Sequence, residues 1–156
     1  MSATEKIKGW FYKLANPLVT ALLRSPFHGI ASGNLALLHF RGRKSGREFV
    51  TPLSYVRESG TVGLLSAHRT NWWMNLREEG TPVKIEIARE TLTGRARLWD
   101  GDSEALRDRV RRYLCALPRD AMVYGIQLDE NKKPVEESLA QVAPELVFVE
   151  VELERD

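Results

Sequence analysis

The chain has 156 residues, 43% hydrophobic and 28% charged, a composition that excludes a disordered or fibrous protein and leaves one domain with a single substantial core. Its formal charge of +2, from 23 basic and 21 acidic residues, is too small to argue for nucleic acid as a partner. A single cysteine, Cys115, excludes an internal disulfide and suits a reducing compartment; it reads as a small buried helix residue. No apolar run approaches the ~20 residues of a membrane span, and the amino-terminal segment lacks the apolar core of a secretory signal, so the expected location is the cytoplasm.

In chain order, Ile7, Trp10, Phe11, Leu14 and Leu18 recur at three- and four-residue spacing, with Lys6, Lys8 and Lys13 between them. That is the pattern of a basic amphipathic helix, and it divides the chain into an amphipathic segment, residues 1–24, and a single domain, residues 25–156. Such a helix packs over the domain or lies on a membrane surface, a peripheral contact. Residues 35–40 form an apolar strand containing His39, which reads as a hydrogen-bonded barrel histidine. Gly42-Arg43-Lys44-Ser45-Gly46 then turns the chain, two cations and a hydroxyl held between two glycines. Glycine accepts positive φ without steric cost, so such a turn can aim its amides and cations one way and cradle an anion. A second strand is expected over residues 48–57, a turn at Ser59-Gly60, and a third strand over residues 62–66.

Asn71 reads as the N-cap of a helix over residues 72–79, stopped by Gly80. Val83, Ile85 and Ile87 alternate with polar residues as a half-buried strand, and residues 92–99 return beside it. Asp102 or Ser103 caps a clear helix whose polar face carries Arg107, Arg109, Arg111 and Arg112, partnered by Glu104 and Asp108 at helical spacing. Residues 117–134 read as irregular, residues 135–142 as a short helix, and residues 146–153 as a closing strand. About six hairpin-linked strands with peripheral helices make an α+β protein built on a small antiparallel barrel.

Chemistry-bearing motifs are few. The glycine-bounded turn is not a P-loop, which places its lysine after the second glycine of a strand-loop-helix. His28, His39 and His68 have no metal-ligand spacing, so no metal is expected. No nucleophile elbow, dinucleotide fingerprint or paired acidic motif occurs. A chain with an anion cradle and aromatics but no acid, base or nucleophile signature points to a bound cofactor that does the chemistry.

The turn 42–46, followed by Thr51-Pro52-Leu53, then Ser66, then Trp72-Trp73-Met74-Asn75-Leu76, resembles the deazaflavin-dependent nitroreductase and quinone reductase family. These are split β-barrel proteins related to FMN-binding oxidases, and the likeness runs over residues 22–153. It implies an enzyme, a reductase that uses coenzyme F420, an 8-hydroxy-5-deazaflavin, and passes hydride to a quinone, a nitro compound or another planar acceptor. It also implies a split-barrel fold and a homodimer. Carried over by position, Arg43 and Lys44 meet the cofactor's phosphate or polyglutamate tail, Ser45, Thr51 and Pro52 belong to the cofactor-binding set, and Ser66 with the backbone of Ala67 and His68 lies along its ring or linker. Trp72 and Asn75 wall the site. Tyr124 stands where family members place a substrate-side tyrosine, the catalytic candidate as a hydrogen-bond donor. The segment 67–71 is shorter than in the best-known nitro-reducing members, and Arg69 is expected to supply the anion contact missing there. Phe49 replaces a second cation and Ser54 a substrate tyrosine. The alternatives are FMN on the same barrel, and a non-catalytic carrier of an apolar ligand such as a fatty acid or haem.

Overall fold

The structure, a computed structural model, describes residues 35–155. The expected amphipathic segment 1–24, with the stretch containing His28, lies outside the described residues. Among the described residues seven strands form one antiparallel sheet: β1 (Leu35–Arg41), β2 (Glu48–Ser54), β3 (Val56–Glu58), β4 (Thr61–Ala67), β5 (Thr81–Ile87), β6 (Glu90–Asp100) and β7 (Leu146–Leu153). Their order across the sheet is β2-β1-β5-β6-β7-β4-β3. The strand expected over residues 48–57 is therefore two, broken at Tyr55. Its first part pairs with β1, and its end, extended by one residue to Val56–Glu58, pairs with β4, so the two edges of the sheet are consecutive in the chain. That single break curls the sheet into a split barrel, the α+β fold expected.

Alternation decides what fills the barrel. Directly paired residues share a face, so Leu38 with Ile85 and Val62 with Val151 point inward together. Trp72, Trp73 and Leu76, from a short 3-10 turn (Trp72–Leu76), plug one end. This turn replaces the helix expected over residues 72–79, and Asn71 makes no side-chain cap to it. A second core lies outside the barrel. There Leu65 and Ala67 of β4 and Phe148 of β7 pack under α1 (Glu104–Ala116), α2 (Glu136–Val142) and a 3-10 turn (Pro118–Tyr124) within the stretch expected to be irregular.

Ser103, not Asp102, caps α1, accepting from Leu106 N–H at 3.0 Å, while Asp102 takes Arg107 instead. Cys115 is exposed, against the buried position expected, because α1 turns Leu106, Val110, Tyr113 and Leu114 to the sheet and Cys115 away from it. No helix among the described residues is long and apolar enough to cross a membrane.

Candidate functional site

The sheet does not close along its whole length. β3 pairs with β4 only as far as Gly63, so the rest of β4 and the whole of β2 face each other across an unpaired seam. In an antiparallel ladder successive residues direct their backbone groups to opposite neighbours, which settles what lines that seam. His68 N–H donates to Glu145 O and Leu153 N–H to Gly60 O, so even-numbered β4 residues address β7 and odd-numbered Leu65 and Ala67 address the seam. Gly42 N–H donates to Arg47 O, so odd-numbered β2 residues address β1, and Val50 and Pro52 address the seam. Pro52 has no N–H to present there, a substitution that edge strands tolerate and that blunts unwanted pairing.

On β4 both seam carbonyls have donors. Leu65 O accepts from Tyr124 Oη at 2.8 Å. Ala67 O accepts from Thr70 N at 3.0 Å, Thr70 Oγ1 at 3.0 Å and Trp73 Nε1 at 3.1 Å. The N–H groups of Leu65 and Ala67, both buried residues, are directed into the same seam.

At the mouth of the seam stands the glycine-bounded turn. Gly46 takes φ +70° and its N–H donates to Gly42 O at 2.9 Å. A Cβ at position 42 would lie 2.8 Å from the Phe49 ring and 2.9 Å from Ser45 Oγ, so any larger residue there must displace one of these side chains. Ser45 Oγ accepts from Arg47 N–H at 3.2 Å, and Arg43 N–H donates to Asn75 Oδ1 at 3.0 Å, which ties the turn to the plug. Asn75 Nδ2 is held in turn by Trp72 O. The side chains of Arg41, Arg43, Lys44 and Arg47 are exposed and make no salt bridge among the described residues. The α1 arginines differ: each has a carboxylate within salt-bridge distance, Arg111 both Glu104 and Glu136.

The remaining predicted residues are placed as follows. Thr51 is buried, opposite Leu38 on the barrel's inner face. The Ser66 hydroxyl lies 2.6 Å from Thr70 Oγ1, spent beneath the loop, and its backbone addresses β7. His68 turns its ring across β7 to Asp100 at the end of β6, whose other oxygen takes Arg77 at 3.2 Å, so only its backbone stays near β4. Arg69 donates to Val123 O at 3.0 Å and stacks on the Tyr124 ring, centroid distance 5.4 Å. Trp72 is buried in the plug. The Tyr124 phenol is pushed up to about 12, by burial first and then by the Asp120 charge, with Arg69 opposing. The seam amide of Leu65, the hydroxyl of Thr70 and the cations Arg41 and Arg47 were not among the expected site residues. A backbone amide leaves no mark in a sequence, and Arg41 and Arg47 merely flank the motif. Among the described residues no cluster of three His, Cys, Asp or Glu is placed to hold a metal ion.

The family model described as F420H(2)-dependent quinone reductase matches residues 6–124. The chain belongs to this family. It is an oxidoreductase, and its cofactor is coenzyme F420. Nothing among curated proteins matches it. Solved structures share the fold at low identity. An F420-H2 dependent reductase, FDR-A, is 20% identical over 78% of this chain and 94% of its own, with a TM-score of 0.52. A domain-swapped dimer is 15% identical over 97% and 100%, TM-score 0.55. Atu2129 from Agrobacterium tumefaciens is 18% identical over 85% and 57%, TM-score 0.54. The residues of this family member fit the cofactor chemically: cations at the seam mouth that make no salt bridge among the described residues suit its anionic tail, and N–H groups directed into the seam suit the carbonyl oxygens of its ring.

Proposed function

We propose that this F420-dependent reductase passes hydride to a quinone, with nitro compounds as a second acceptor class, and that it works as a cytoplasmic homodimer. The observation that carries the reading is one juxtaposition: cations at the turn that make no salt bridge among the described residues, beside a β4 edge whose Leu65 and Ala67 N–H groups are directed into the seam. When bound, the cofactor supplies the hydride. The protein's own tasks are then to bind, orient and exclude water. Arg43 and Lys44 take the anionic tail, with Arg41 and Arg47 adding charge. The N–H groups of Leu65 and Ala67 orient the ring along the seam. Tyr124 flanks the acceptor side; its proton is committed to Leu65 O, so it stays neutral and shapes the site. The quinone acceptor is supported by the family's description, and the basic amphipathic pattern of residues 5–24 supports peripheral contact with the membranes that hold lipophilic quinones.

The test is a parallel fluorescence titration with oxidised F420 and with FMN, followed by acceptor turnover with reduced F420. Expected are saturable F420 binding, its loss in Lys44→Ala, and faster turnover with quinones than with nitro compounds. Binding of FMN alone, or retention of ligand with no turnover on any acceptor, would overturn the reading.

A further inference from the structure

On the outer face of the barrel, His39 of β1 lies between two carboxylates. Its Nδ1 is 3.1 Å from Glu48 Oε1 on β2 and its Nε2 is 3.1 Å from Glu86 Oε1 on β5. Glu48 is also the residue directly opposite Arg41 in the β1–β2 ladder and next to Arg47 in sequence. Opposite charges facing across a strand pair normally meet. Here they do not: Glu48 is turned to His39, and Arg41 is left without a salt bridge among the described residues. The hydrogen bond from His39 holds the Glu48 carboxyl below its usual range, with smaller contributions from the charges of Lys84 and Arg41. The Glu48 side chain is 62% exposed and borders an open groove of about 360 Å³ shared with His39, Arg41 and Lys84. Either direction is therefore sterically open to it.

We infer that His39 is a positioning residue for the cationic turn: it diverts Glu48, the carboxylate opposite Arg41, and so keeps Arg41, Arg43, Lys44 and Arg47 free for an anionic ligand. This rests on the proposed role of the turn and adds a residue on the opposite face of β1 from the barrel core. The charged groups around His39 on the described elements are Glu48, Glu86, Lys84 and Arg41. Without the imidazole, Glu48 turns to Arg41 or Arg47 and competes with the ligand as a tethered anion.

The experiment measures binding of inorganic pyrophosphate by calorimetry and of F420 by fluorescence, in wild type, His39→Leu, Glu48→Gln and the double variant. His39→Leu is expected to weaken both ligands about threefold to fivefold, the factor that one exposed ion pair represents. The double variant is expected to return to wild-type affinity, which a merely structural role for His39 would not produce. Unchanged binding in His39→Leu, or a loss that persists in the double variant, overturns the inference. Absence of binding by the wild type instead overturns the anion site itself, and this inference with it. Should His39→Leu not fold, His39→Gln with and without Glu48→Gln decides in the same way, since the shorter amide reaches only one carboxylate.

Discussion

The backbone N–H of Arg43 donates to the side chain of Asn75, 32 residues away, and this bond fixes the cationic turn to the plug of the barrel. The turn is thereby held as a rigid rim of the seam instead of a free hairpin tip. Asn75→Ala is expected to weaken F420 binding about fivefold, the worth of one hydrogen bond, while lowering thermal stability little. An unchanged dissociation constant would show that the turn needs no tether.

Unpaired and paired arginines predict opposite phenotypes. Arg43→Ala should reduce F420 affinity and flatten its salt dependence without changing the melting temperature. Arg111→Gln removes a cation shared by Glu104 and Glu136, so it should cost about 1 kcal/mol of stability, a few degrees in melting temperature, and leave F420 affinity intact. Reversal of the two outcomes in paired melting and binding curves would reject this division of the charges.

Gly42→Ala should destabilise the turn by about 1–3 kcal/mol, because the added methyl overlaps the Phe49 ring and Ser45 Oγ. Phe49 stacks on Phe40 and cannot retreat freely. A chemical denaturation midpoint equal to wild type would mean that the ring gives way.

Tyr124 is expected to stay protonated through the neutral range, so the turnover profile should show no Tyr124 limb below about pH 10. Its folded-state value lies above the ordinary value of 10.0 and near 12. The neutral phenol is therefore favoured by folding, the contribution is complete below pH 10, and it is lost as pH rises to 12. Wild type should lose stability over that window more steeply than Tyr124→Phe. Parallel slopes in pH-dependent melting would contradict the buried, Leu65-bound phenol.

The strands themselves were legible in the chain. Alternation in residues 83–87 and in residues 146–153, and the glycine-bounded turn, are local signals, since a period of two and a positive φ are set by neighbouring residues. The order Gly-Arg-Lys-Ser-Gly, Thr-Pro, Trp-x-x-Asn-Leu was enough to point to the family, which the match over residues 6–124 shows. Three things waited for the tertiary structure. The break at Tyr55 splits one expected strand between both sheet edges, because closure depends on which partners the strand meets and not on its own pattern. The α1 arginines find Glu58, Glu136 and Glu150 on other elements, beyond the Glu104 and Asp108 visible at helical spacing. Tyr124 meets Leu65 across 59 residues of chain, and His68 turns to Asp100 across 32, leaving the seam to backbone amides. Periodicity encodes the face a residue presents to its own strand or helix; which distant group stands opposite is fixed only when the sheet curls and brings its two edges together.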